Sequence, residues 1–323
     1  MAKLSDPIQI KDYTLRNRIV FPPMQSGRAD FDGAITARLI NFYVRRSAHI
    51  GLPIVEHAYI DLLGKIGPKQ LGIYDDSLIS GYEKLATALH KEGVPAVVQI
   101  SHAGGVANKK VIHNQPVGPS NAGKMRMLEI DELKEVVDQF VAAAERAVVA
   151  GFDGVELHGA HGYLLNQFFS PLLNKRGDVY GGCLEGRMRF PLEVVRAVRC
   201  RLGGDKLLFY RVGSDDLAPY GTCVEDAVVF SQRLVEAGVD VLDVSGGMCG
   251  SNPSQFKGVE GYFVSQAAAV KQRVSVPVVG VGGIVDPLFA DGLVREGRVD
   301  LVAVGRALWR DVLWAQRAFS CLG

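Results

Sequence analysis

Two hydrophobic rhythms alternate along the chain. In one, nearly every position is apolar for a short run: "NRIVFPPM", "LPIVEHAYI", "PAVVQISHA", "GVELHGA", "LLFYRVGS", "VLDVSGG", "VPVVGVGG" and "LVAVGRAL". These runs are rich in Val, Ile and Leu, and most stop at Gly, His or another polar residue, which predicts eight buried strands. In the other rhythm apolar residues return every three or four positions: "TARLINFYVRRSAH", "SLISGYEKLATALHKEG", "IDELKEVVDQFVAAAERAVVAG", "EGRMRFPLEVVRAVRCRLGG", "VEDAVVFSQRLVEAG" and "GYFVSQAAAVKQRV". Several of these end in Gly, as helix C-termini do. Strands apolar on both faces need helices outside them, which argues for a parallel sheet. Eight strand-helix units of similar size predict an α/β fold, the (β/α)8 TIM barrel, over the open doubly wound sheet. Gly282, Gly283, Gly305 and Arg306 follow the seventh and eighth strands, where barrels bind phosphate. No linker is visible, so residues 1–323 are expected to form a single domain. The one long irregular stretch, residues 104–127, is polar and rich in Gly and Pro, and is expected to be a rim loop over the site.

Composition narrows the partners. Of 323 residues 48% are hydrophobic, enough for one large core, and 36 Lys and Arg nearly cancel 35 Asp and Glu. The basic residues are scattered, so neither nucleic acid nor a membrane surface is expected as partner, and a small molecule is. Cys183, Cys200, Cys223, Cys249 and Cys321 are odd in number, widely spaced and free of CxxC. That argues against a disulfide framework, zinc site or iron-sulfur cluster and for reduced thiols in a cytoplasm. The N-terminal "MAKLSDPIQIKDYTLRNR" lacks the apolar stretch of a secretion signal.

A barrel gathers its strand ends at one mouth. That collects Gln25 after strand 1, His57 in strand 2, Gln99 and His102 at strand 3, His158, His161 and Tyr163 at strand 4, Arg211 in strand 5, and the glycines with Arg306 after strands 7 and 8. Each has a bland reading: a His at a strand end is often only a satisfied structural residue, and Arg211 could pair with Asp215 or Asp216. Their coincidence at one face is what points to chemistry. An HxxH pair can also chelate a metal, but no Asp or Glu follows at a spacing that completes an obvious third ligand.

The residues that carry most are "HGAHGYLLNQFFSPLLNKRGDVYGG", together with "NRIVFPPM", "VVQISHAGG", "EGRMRFPLEVV" and "DLVAVGRAL". In this order they resemble the old yellow enzyme family of FMN-dependent ene-reductases through nearly the whole chain. The resemblance implies FMN at the C-terminal rim and NAD(P)H as a transient hydride donor. The substrate would be an activated C=C bond, as in α,β-unsaturated carbonyl compounds. It implies that His158 and His161 hydrogen-bond the substrate carbonyl and that Tyr163 gives the proton. Developing enolate charge suits two pre-aimed donors, and a phenol of ordinary pKa near ~10 keeps its proton at neutral pH. The same resemblance assigns Gln99 to the flavin pyrimidine edge and Arg211 to its N1 and C2 carbonyl. It assigns Pro23 and Met24 to backbone contact with the ring, Gln25 and His57 to its surroundings, and Gly283, Gly305 and Arg306 to the phosphate. A homo-oligomer is a further possibility it raises.

The chain departs from the family in four places. Gln25 stands where Cys or Thr is usual and His57 where many members have a small residue, while Gly105 and Gly186 replace a frequent Arg and Asn. With only Cys321 near the end, no iron-sulfur ligands are expected. Other readings stay open: oxidative demethylation or ring reduction at the same flavin, a flavin carrier or redox sensor with little turnover, and a flavin-free phosphate-binding isomerase.

Overall fold

The computed structural model describes residues 1–322. Eight parallel strands close in chain order into a barrel: β1 (Ile19–Phe21), β2 (Leu52–Tyr59), β3 (Val97–Ser101), β4 (Gly154–Gly159), β5 (Leu207–Gly213), β6 (Val241–Ser245), β7 (Val278–Gly280) and β8 (Leu301–Ala303). Every residue of these strands is buried, which accounts for the unbroken apolar runs. The expected (β/α)8 barrel is the fold observed.

The outer ring holds α1 (Ala37–Ser47), α2 (Ile79–Lys91), α3 (Ile130–Val149), α4 (Leu184–Leu202), α5 (Val224–Glu236), α6 (Val264–Lys271), α7 (Pro287–Arg295) and α8 (Trp314–Leu322). Local chemistry fixes several starts. The Thr36 hydroxyl accepts from the Leu39 amide, Glu129 and Glu132 form a capping box, and Asp286 caps α7 with Pro287 at its first position. The period reading found six of these helices and passed over α7 and α8. Asp286-Pro287 was nonetheless a visible start signal.

Two elements were not anticipated. An antiparallel hairpin, Ile8–Ile10 with Tyr13–Leu15, precedes β1. Ile10 and Leu15 join Val20, Leu52, Ile54, Val97, Leu207 and Phe209 in one apolar cluster, so the hairpin stoppers the end of the barrel away from the strand C-termini. The second is a bulge in β2. Val55 pairs with Val98 and Ala58 with Ile100, so Glu56 and His57 both stand opposite Gln99. Such an extra residue breaks the in-out alternation and re-aims side chains.

The stretch 104–127 carries short pieces of structure of its own, among them Lys109–Ile112 and the pairing of Val117–Gly118 with Arg126–Met127. It folds against the short helix Leu164–Phe169, because Gly105 donates its amide to Gln167 Oε1 at 3.0 Å and a Cβ on Gly104 would lie 2.4 Å from the same oxygen. Arg176 ties it down through the Pro119 and Leu128 carbonyls, at 3.1 and 2.7 Å. Among the described residues no helix is long and apolar enough to cross a membrane.

Candidate active site

A cavity of about 990 Å³ opens at the C-terminal mouth of the barrel. Pro23, Met24, Gln25, His57, His158, His161, Tyr163, Arg211, Gly283, Gly305 and Arg306 all line it. Gln99 does not. It is 1% exposed and points to the next strand, where its Nε2 donates to Glu156 Oε1 at 2.8 Å. Its Nε2 thus already has a protein partner. Residues 104–127 contribute nothing to the lining; the segment after β6, from Ser251 to Tyr262, forms that wall instead.

The turn after β4 sets the central residues. Gly159 must lack a side chain, since a Cβ there would meet the Tyr210 ring and hydroxyl at 2.2 to 2.3 Å. His161 then adopts φ +58°, an uncommon left-handed conformation for a side-chain-bearing residue, and Gly162 follows at φ +73°. This tight reversal is held by the His161 amide on the Gly246 carbonyl (3.1 Å), by the Gly162 amide on Asn166 Oδ1 (2.8 Å) and by the Tyr163 amide on the Ala160 carbonyl (3.1 Å). His158 and His161 are brought to a ring-centroid separation of 5.1 Å, and His158 and Tyr163 to 4.4 Å. His161 Nε2 lies 2.8 Å from Ser245 Oγ, while His158 Nδ1 is buried with no protein partner.

His57 joins the same wall from the bulge, 5.4 Å from the Tyr163 ring and 6.1 Å from that of His158. Burial, reinforced by the nearby Arg211 cation, pushes the His57 imidazole down to about 4. Burial drives His158 and His161 well below the ordinary histidine value too, with the other imidazoles and Arg211 adding to it. Burial also raises the Tyr163 phenol. At neutral pH this wall therefore consists of neutral N–H and O–H groups.

Beneath the cavity the barrel interior turns polar. Glu156 and Asp243 are fully buried, Arg211 Nε lies 3.2 Å from Asp243 Oδ2 without the alignment of a hydrogen bond, and Glu156 Oε2 and both Asp243 oxygens lack a partner. Burial raises both carboxyls, and for Glu156 the Asp243 charge adds to it, while Arg211 pulls both the other way. Glu56, on the bulge, accepts from the Ser26 amide and hydroxyl, and burial pushes it up to about 7.

Glu156, Asp243, Ser245 and Gln70 escaped sequence reading. The first three had a signal, because they stand two apart from His158, or from each other, in "VELH" and "LDVS" and so face inward together.

The mouth suits a flavin mononucleotide. Its volume lies at the top of the ~300–1,000 Å³ range of ligand sites. A Cβ on Gly305 would sit 2.8 Å from Met24 Sδ, and one on Gly283 would sit 2.9 Å from the Tyr262 ring and 3.2 Å from Arg306 Nη2, with Gly283 at φ +66°. These glycines bring bare backbone beside an exposed guanidinium, a pairing that fits phosphate. The buried Arg211 suits a ring that gains negative charge on reduction. Among the described residues no group of three or more His, Cys, Asp or Glu is placed to hold a metal ion.

Comparison with known proteins agrees with this geometry. A family model described as NADH:flavin oxidoreductase / NADH oxidase family matches residues 3–322. NADH oxidase of Thermoanaerobacter brockii is 41% identical over 324 residues, which is 96% of this chain and 50% of that protein. Among solved structures, 2-naphthoyl-CoA reductase superposes with TM-score 0.93 at 25% identity, over 99% of this chain and 52% of that one. The old yellow enzyme homologue from Zymomonas mobilis gives 0.87 at 26% identity over 100% and 94%. Morphinone reductase in complex with tetrahydroNAD gives 0.86 at 27% over 100% and 92%. The chain spans about half the length of the first two relatives and nearly all of the last two. It belongs to the NADH:flavin oxidoreductase / NADH oxidase family, the old yellow enzyme family, whose cofactor is FMN.

Proposed function

We propose that the chain, acting as one FMN-binding domain, takes hydride from NAD(P)H and reduces the activated C=C bond of an α,β-unsaturated carbonyl compound. The observation that carries this reading is the grouping of His158, His161 and Tyr163 on one cavity wall in their neutral, proton-bearing forms. Bound FMN supplies the hydride chemistry. His158 and His161 seat the carbonyl oxygen and strengthen their hydrogen bonds as charge moves onto it, which lowers the barrier more than it stabilises the bound substrate. Each neutral imidazole still carries one N–H with which to donate. Tyr163 delivers its proton to the α-carbon and is reprotonated from solvent through the open mouth. Arg211 supports the pyrimidine end of the ring. Pro23, Met24 and Gln25 flank it, and Gly283, Gly305 and Arg306 hold the phosphate.

Tyr163→Phe tests the assignment. Reoxidation of the reduced protein by 2-cyclohexenone should slow about 10²- to 10⁴-fold, while reduction by NAD(P)H stays within about twofold. Equal damage to both half-reactions would remove Tyr163 from its role. A second reading, reduction of an aromatic ring at the same flavin, is favoured by the likeness to 2-naphthoyl-CoA reductase. Anaerobic single turnovers with 2-cyclohexenone and with a naphthoyl thioester separate the two by which one reoxidises the flavin.

A further inference from the structure

His57 has a proton whose position can be read from its neighbours. Gln70 is fully buried, and its Oε1 accepts from the Ile66 backbone amide at 2.8 Å. A backbone N–H can only donate, so the amide orientation is fixed: Nε2, not Oε1, faces His57 Nδ1 at 3.0 Å. Nε2 of Gln70 can likewise only donate, and His57 Nδ1 must accept. The proton of the neutral ring therefore sits on His57 Nε2. That nitrogen has no protein partner among the described residues, yet it is not sealed off, on a side chain that is 6% exposed and lines the cavity. The bulge in β2 sets the His57 ring on the same cavity wall as His158 and Tyr163, 6.1 and 5.4 Å from their rings.

We propose that His57, locked by Gln70 as its Nε2–H tautomer, is a third substrate-side donor that seats a second oxygen acceptor. The preferred substrates are then unsaturated carbonyl compounds with another carbonyl across the C=C bond. The inference rests on the reading that His158 and His161 seat the first carbonyl. In an enedione each alkene carbon is β to one carbonyl and α to the other. Hydride from the NAD(P)H-reduced flavin adds to the carbon β to the oxygen held by His158 and His161, and the Tyr163 proton goes to its neighbour. His57 holds the second oxygen while the C=C bond becomes C–C. Gln70 is a positioning residue, acting only through the ring it orients.

Succinimide and 2-pyrrolidinone, rings of one size with two carbonyls and one, are unreactive probes. Their binding to the FMN-loaded protein is followed by the shift in flavin absorbance. Succinimide should bind about tenfold more tightly, the worth of one added hydrogen bond, and His57→Phe should abolish that preference. A preference that survives His57→Phe, or none in the parent protein, overturns the third donor. His158→Ala separates this from the underlying reading: loss of affinity for both probes upholds the carbonyl seat, and no change for either removes it, whatever His57→Phe shows. The tautomer is read independently by two-bond proton-nitrogen correlation on ¹⁵N-histidine-labelled protein. His57 should show Nε2–H, and Gln70→Leu, which leaves the ring in place, should admit the Nδ1–H form and weaken the preference. Nδ1–H in the parent protein overturns the proposal.

Discussion

The imidazoles of His57, His102, His158 and His161 must stay neutral in the folded barrel, with burial the leading cause for each. A histidine whose folded value is depressed contributes stability above its ordinary value and loses it as pH falls, because the unfolded chain then binds the proton that the fold refuses. Raised carboxyls such as Glu56, Glu156 and Asp243 act in the opposite sense, so the slope for the whole protein is a difference of these groups. His57→Phe isolates one of them. With His57 lowered from 6.5 to about 4, urea unfolding at pH 7 and pH 5 should show the parent losing about 2 kcal/mol more than the variant over that interval. Equal losses would mean that His57 titrates normally. Residues of this kind were legible in part. His158, His161 and Tyr163 stand out because they interrupt an apolar strand and its exit. Gln70 does not, because its importance lies in an amide orientation set by Ile66, and the Gln99–Glu156 bond joins residues 57 apart on different strands.

Between strand and helix, the glycines after β7 and β8 shape one end of the mouth, and Arg306 supplies its cation. Arg306→Ala should weaken FMN binding about 10- to 100-fold, the cost of losing charge-assisted contact to phosphate, and leave riboflavin affinity unchanged. Fluorescence titration of the apoprotein with both flavins measures this, and a parallel loss for riboflavin would move Arg306 away from the phosphate. The (β/α) alternation itself was plain in the sequence, since helix and strand periods differ and the strands are buried on both faces. The reach of the connections was not. Residues 104–127 look like a lid by composition, but where a Gly-rich segment lies depends on its contacts with Gln167 and Arg176.

Across the whole molecule the two ends of the barrel divide stability from chemistry. Leu15 is fully buried in the N-terminal hairpin, in the cluster that closes the end remote from the mouth. Leu15→Ala should cost about 2 to 5 kcal/mol in urea unfolding with FMN affinity unchanged, and a matching drop in FMN affinity would show that the ends are coupled. Sequence reading saw the closed fold but not its stopper, whose strands of three residues are too short for a periodic signal. At the other end, the β2 bulge places two residues opposite one and turns His57 into the mouth. Deleting a single residue there would return the strand to simple alternation and swing the imidazole to another face, leaving the seven other strands as they are. On the proposed role of His57, the gain or loss of one codon at this bulge is a second route to a changed substrate preference, beside substitution of His57 itself, and it acts by moving the strand's register instead of the side chain's chemistry.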